Sequence, residues 1–202
     1  MMFETSDMSF TDMVMLLTLG KGVDVVTFNE KSKKTLRQFY NQVHGRDVRI
    51  GIIEESFPDV TEEQLGCVLL IRYSTKILIQ AEGHKLVEMR RVYEKSGKKY
   101  PPEESIKQYS ISESRKIGES VKETAVRALK EELDFIVHPG QLWVRPLPDE
   151  ILPIRKSRVY DGILVQEVVH WVDLSLPQRP WGKGPVIYDA GTWVHTEWLK
   201  AE

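Results

Sequence analysis

The sequence predicts a mixed α/β or α+β domain, and three observations carry that prediction. With 41% hydrophobic and 29% charged residues among 202, the chain can build a core and lacks the composition of a disordered polymer. One well-specified helix lies within "GESVKETAVRALKEELDF" (118–135). Strand-like apolar runs stand both before it ("CVLLIRY", "KILIQA") and after it ("GILVQEVVHWVDL").

In chain order, Asp12 to Leu19 reads as a helix stopped by Gly20, with Met13 to Leu19 giving an amphipathic face. "VDVVTF" (23–28) reads as a short strand. Asn29 can cap a second helix, "EKSKKTLRQFYNQVHG", whose Leu36, Phe39, Tyr40 and Val43 share a face. "DVRIGII" (47–53) is a further strand, and "FPDVTEEQL" a turn in which Thr61 and Gln64 have capping-box spacing. "CVLLIRY" and "KILIQA" read as a hairpin turning at Ser74 and Thr75, although Ser-Thr is a poor pair for a primed turn. "KLVEMRRVYE" (85–94) fits a strand or a helix equally. "KSGKKYPPEES" is a polar loop with a proline pair, expected to be mobile. "KQYSIS" (107–112) fits a short strand just ahead of the central helix. Beyond that helix come "IVHPGQLWVRPLP", the long run "YDGILVQEVVHWVDL", and a tail rich in Trp and Gly that closes in a short amphipathic piece.

Composition also excludes function classes. A net charge of -2 gives no global drive toward nucleic acid or an anionic membrane. Cys67 is the sole cysteine, so neither a disulfide framework nor a Cys-rich zinc site is available. Its setting, "GCVLLIRY", suggests an inert thiol at a buried strand position. The N-terminal "MMFETSDMSFTDMVMLLTLGKG" has no basic leader, and Glu4, Asp7 and Asp12 break its short apolar run. Neither a cleaved signal peptide nor a membrane span is expected, and the expected location is the cytoplasm.

The central helix has good start chemistry. Ser120 and Glu123 fit a capping box, placing the first helical residue at about Val121. Glu123, Arg127 and Glu131 follow at i, i+4 spacing and can form a ladder. Wound at about 100° per residue, Val121, Ala125, Ala128, Leu129 and Leu133 make an apolar arc with Val126 at its edge. Glu132 falls inside that arc, between Ala125 and Ala128. Burying an ionised carboxylate without a partner costs several kcal/mol, so a cation or donor should face it. Glu131 lies beside it, and two such carboxylates suit one hard cation. The alternative is that Glu132, near the helix end, swings out to water.

The segment from Glu113 to Phe135 resembles a Nudix box, G-x5-E-x7-R-E-U-x-E-E-x-G-U with U a bulky apolar residue. Glu119, Arg127, Leu129, Glu131, Glu132 and Phe135 match, and the "GES" at Gly118 resembles the usual lead into that family's helix. Glu113 replaces the opening Gly, Asp134 the closing Gly, and Ala128 the Glu directly after the Arg. The resemblance implies a Nudix-like mixed β-sheet flanked by helices over 62–202, with residues 1–61 as a helical and strand extension packed on it. It implies Mg²⁺ or Mn²⁺ held by Glu131, Glu132 and Glu119, with Gly118 and Arg127 structural. The implied activity is hydrolysis of a nucleoside-diphosphate-linked or related diphosphate compound, in which metal neutralises phosphate charge and orients water. The Ala128 departure makes a catalytically inactive Nudix-fold binding or regulatory module the alternative.

Outside the box, Arg90 and Arg91 could meet phosphate, since guanidinium suits bidentate contacts, though such pairs are commonly solvated surface. Glu167, in the late strand, stands as a third catalytic carboxylate because the family often uses one beyond the box. Trp181 and Trp193 could stack a flat group. "GKG" (182–184) lacks P-loop spacing and reads as a turn. The five histidines show no metal-ligand spacing. The expected partner is a small-molecule diphosphate, with no nucleic acid or membrane, and a homodimer is left open.

Overall fold

Side-chain caps decide where the helices of this chain start and stop. The computed structural model describes residues 2–46, 48–93, 99–100, 111–137, 142–180, 184–189 and 192–201. After strand β1 (Met2–Glu4), Ser9 and Asp12 form a reciprocal capping box that opens helix α1 (Phe10–Leu19), and Gly20 closes it. The strand expected over 23–28 is absent. Asp24 Oδ1 accepts from the Val26 and Thr27 N–H groups (3.1 and 3.4 Å), and Oδ2 from the Thr27 hydroxyl (2.7 Å). That local bonding wins over β propensity and makes a turn.

The long second helix is split. A single turn, α2 (Phe28–Lys31), ends at an extended Ser32, and a second capping box, Thr35 with Gln38, starts α3 (Leu36–Val43). Asn29 does act as a cap, but on α3, where its Oδ1 accepts from the Leu36 N–H (2.9 Å). Strand β2 (Val48–Ile52) follows, and the Thr61–Gln64 capping box opens one 3-10 turn (Glu62–Gln64).

Strand β3 runs unbroken over Val68–Ala81, so the expected hairpin at Ser74 and Thr75 does not form. Both residues are buried within the strand. The chain reverses instead at Glu82 (φ 49°) and Gly83 (φ 71°), whose paired positive φ values are what a primed turn requires. β4 (His84–Tyr93) is therefore a strand, settling the ambiguity of that segment. β5 (Lys99–Tyr100) and β6 (Ile111–Ser114) precede α4 (Val121–Leu133), while the rest of the proline-pair loop and 107–110 lie outside the described residues. β7 (Trp143–Pro146), β8 (Glu150–Ile151), β9 (Arg155–Lys156), β10 (Ile163–Leu176), β11 (Val186–Asp189) and β12 (Thr192–Lys200) complete the chain, the amphipathic tail being strand. Helices with antiparallel pairing give the α+β class that the sequence predicts. No described helix is long and apolar enough to cross a membrane.

The chain divides into two compact units, and β3 and β10 each contribute to both. The first comprises Met1–Tyr73, Ser114–Gly118 and Ile151–Val169. In it β1 pairs antiparallel with β2, β2 with Val68–Arg72, and β9 with Leu164 and Val165. Met13, Leu16 and Leu17 of α1 bury against Phe28, Phe39, Ile50, Leu70 and Ile163. Tyr160 stacks on Phe28 and lies 4.5 Å from Phe39 between ring centroids, and its hydroxyl donates to Gln42 Oε1. Each such aliphatic or aromatic burial contributes about 1.5–3 kcal/mol. Cys67 sits just ahead of β3, half-buried rather than buried, bridged through its backbone to Lys21.

The second unit comprises Ser74–Glu113, Glu119–Glu150 and His170–Glu202. Its sheet has β12 between β4 and β11, and β7 lies against Val172–Ser175. Helix α4 buries Ala125, Ala128, Leu129 and Leu133 among Ile77, Ile79, Leu86, Val172, Leu174 and Val194. That packing fixes which face of α4 remains open.

Candidate functional site

Helix α4 begins at Val121, where its start chemistry requires. The Ser120 Oγ accepts from the Glu123 N–H (3.2 Å), and Glu123 Oε2 accepts from the Ser120 N–H (2.8 Å). The Ser120 side-chain bond, then the backbone bond, holds the Glu123 carboxyl below its ordinary range. Glu123 is thus turned back to the cap, and the expected three-residue ladder reduces to Arg127 and Glu131. At the other end Asp134 takes the left-handed conformation (φ 49°, ψ 35°), and its N–H donates to Leu129 O. The position of the motif's closing Gly therefore keeps a glycine-like backbone in spite of its side chain. Gly118, ahead of the helix, has φ 73°.

Arg127 is the hub of the helix's charges. Its Nε and Nη2 donate to the two carboxylate oxygens of Glu119 at 2.8 and 2.9 Å, a bidentate fork. Its Nη1 donates to Glu131 Oε2 at 3.0 Å and lies 3.3 Å from Glu113 Oε1. The Thr124 hydroxyl adds a bond to Glu119 Oε2 (3.0 Å). Glu113, Glu119 and Arg127 are 17%, 12% and 15% exposed, so the cluster is largely desolvated, whereas Glu131 is 48% exposed. The bonds to Glu119 raise the Arg127 pKa above its ordinary value against the cost of burial, and Glu113 and Glu131 add to the rise.

Glu132 is half-buried, while the neighbouring Ala125 and Ala128 are fully buried. The fit to a divalent cation follows from this donor set. Glu119 commits both oxygens to Arg127 and Glu131 commits one, and at the third family position Ala128 offers no oxygen and faces the core. Among the described residues no group of three or more His, Cys, Asp and Glu is disposed to hold a metal ion. As arranged, Glu113 and Glu119 from ahead of α4 and Glu131 from within it surround one guanidinium.

The remaining candidates are dispersed. Glu167 belongs to the first unit, 4.0 Å from Arg155, with its carbonyl accepting from the Leu152 N–H. Arg90 is exposed on β4 opposite His195, and Arg91 is described through its backbone, paired with Val194. Trp193 is 42% exposed, while Trp181, Gly182 and Lys183 lie outside the described residues. Gly184 serves a close approach, since a Cβ there would fall 2.1 Å from the Thr196 carbonyl oxygen. Of the histidines, His170 lies 2.8 Å from Asp149, His44 bonds the Thr5 carbonyl, His84 bonds that of Glu82, and His138 is outside the described residues.

A cavity in the first unit escaped the sequence reading. It encloses about 260 Å³ and is lined by Arg46, Arg72, Arg115, Arg155 and Arg158, with Tyr160 and Gln42. These arginines come from α3's exit, β3, the loop before α4, and β9 with its following turn. Arg115-Lys116 and Arg155-Lys156-Ser157-Arg158 are short basic groups in the sequence, but nothing there links them to Arg46 or Arg72.

No family model matches the chain, and no curated protein matches it. Among solved structures it is similar to the E. coli dihydroneopterin triphosphate pyrophosphohydrolase, with 18% identity over 63% of this chain and 80% of that one and a TM-score of 0.41. It is also similar to the C. elegans Ap4A hydrolase (15% identity, 62% and 80% covered, TM-score 0.30) and to an ADP compounds hydrolase (16%, 74% and 70%, TM-score 0.29). At TM-scores this low the likenesses specify neither the detailed fold nor the activity.

Proposed function

We propose that the chain is a Nudix-like module that binds a small-molecule diphosphate without hydrolysing it. The Arg127 hub supports this reading most directly. Carboxylates that would serve a metal in the Nudix box are held by a guanidinium, and Ala128 removes the one directly after the Arg. The test is equilibrium dialysis and product analysis with a panel of nucleoside diphosphate derivatives in Mg²⁺ and in Mn²⁺. Binding without product is expected. Product that scales with enzyme concentration overturns the reading.

One observation favours a metal-dependent hydrolase as the second reading, namely Glu132 half-buried beside two fully buried alanines. On that reading Glu131 and Glu132 bind Mg²⁺ or Mn²⁺, Glu119 assists, and Arg90 and Arg91 meet phosphate. A metal-induced rise in melting temperature that disappears in Glu132→Gln would support it.

A further inference from the structure

The cavity of the first unit presents an unusual charge balance. Among the described residues, five arginines line it and no carboxylate does. Among the described residues, no Asp or Glu lies within ion-pair distance of Arg46, Arg72 or Arg158. Among the described residues the carboxylate nearest Arg155 is that of Glu167, at 4.0 Å, and Arg115, which has further partners, sits over the Tyr73 ring at 5.4 Å from its centroid. Guanidinium groups gathered in one concavity repel each other, and low-dielectric walls focus their field into the space they enclose. An anion relieves that repulsion.

The walls describe the anion further. Val43, Val48, Leu70, Val165 and Tyr160 are buried, whereas Arg72, Arg155 and Arg158 are exposed, so cations stand toward solvent around an apolar floor. Gln42 and Ser157 add polar atoms, although Gln42 Oε1 already accepts from Tyr160 and the Ser157 hydroxyl from the Val159 and Tyr160 N–H groups. A volume of about 260 Å³ is below the usual range for a drug-sized ligand, about 300–1,000 Å³. It suits a compact group carrying several charges. Guanidinium forks match phosphate oxygens bidentately, and the burial by Phe28 and Phe39 that holds Tyr160 rigid keeps the floor fixed. A nucleic-acid strand, by contrast, is met by phosphate contacts spread along an extended groove, not gathered in one concavity.

From this geometry we infer that the Arg46–Arg72–Arg115–Arg155–Arg158 cavity is an anion site that receives the diphosphate end of a small molecule. The inference rests on the proposed binding role for its ligand class and adds where the charged end is held. It requires no metal and none of the carboxylates on α4.

The experiment uses the full chain in EDTA, with pyrophosphate, orthophosphate and sulfate as probes at matched ionic strength, read by calorimetry and by melting temperature. Pyrophosphate is expected to bind at least ten-fold more tightly than either single-centred anion. The exposed pair Arg72→Gln with Arg158→Gln is expected to weaken pyrophosphate binding at least ten-fold while leaving the unliganded melting temperature unchanged or higher. Should that double variant fail to fold, Arg158→Gln alone is expected to weaken binding three-fold or more. Equal stabilisation by sulfate and pyrophosphate, or binding indifferent to these substitutions, overturns the site. A single-stranded RNA oligonucleotide that binds more tightly than pyrophosphate, and loses that binding in the double variant, overturns the small-molecule assignment. A nucleoside diphosphate that binds undiminished in the double variant removes the cavity and leaves the module reading in place.

Discussion

Replacing Arg127 by Met tests the hub of α4 most severely. The substitution keeps length and helix propensity, so it removes charge and hydrogen bonds and little else. Three carboxylates within 3.3 Å of one guanidinium then lose their common partner. Breaking a buried pair by deleting one partner costs about 3–5 kcal/mol, because the surviving charge is left desolvated. Here the principal acceptors are 12% and 17% exposed and so keep a little water, and Glu131, at 48%, recovers most of its solvation. A loss of about 3 kcal/mol follows, which for a chain of this length lowers the melting temperature by about 6–12 °C. Urea denaturation at pH 7 measures it directly. The control is Glu131→Gln, which should cost under about 1 kcal/mol, as an exposed i, i+4 pair does. A loss below about 1 kcal/mol at pH 7, or one equal to that of Glu131→Gln, would refute the claim that Arg127 holds the helix to its flanking segments.

Three further outcomes are expected. Ser120→Ala should cost about 1 kcal/mol by removing the cap of α4, measurable by denaturation. Because Glu123 has a lowered pKa in the folded state, its contribution is present above the ordinary Glu range and lost as pH falls through the folded value; the Ser120→Ala deficit should therefore narrow in acid. Asp134→Gly should stabilise the protein by about 0.5–1 kcal/mol, since glycine occupies the left-handed conformation without a Cβ penalty, and an unchanged or lower melting temperature would count against that. Gly162→Ala should prevent the first unit from folding, because a Cβ there would lie 2.1 Å from the Gly22 carbonyl oxygen at a φ of 72°, and a native circular dichroism spectrum would contradict it.

Much of this architecture is legible in the sequence where local chemistry alone decides it. The Ser120–Glu123 and Thr61–Gln64 boxes, the Gly20 stop and the late strand of Ile163–Leu176 are all written in residues close to one another. Misreadings occur where two local signals compete. At Asp24 a side-chain acceptor overrides the valines, at Thr35 a second cap splits a continuous helical pattern, and at Ser74 burial carries a strand through a pair that looks like a break. The partition of charges around Arg127 is only half legible, because spacing shows Glu131 as a neighbour but says nothing of Glu113 and Glu119 folding back from outside the helix. The arginine cavity is illegible for a deeper reason. Its members are brought together by tertiary contacts from four separate stretches of chain, and no periodicity encodes such a meeting.

The turn at Glu82 and Gly83 has a kinetic counterpart. The β3–β4 hairpin closes through a two-residue loop and can form within microseconds. Its outer edge is paired by β12, with Thr192 opposite Tyr93 and Lys200 opposite His84, so that contact spans about a hundred residues of chain. Loop-closure entropy delays such a pairing, and in the interval β4 presents an unpaired row of amides and carbonyls. An edge left open in that interval can recruit another chain, so refolding yield should fall with concentration more steeply than native stability alone would suggest.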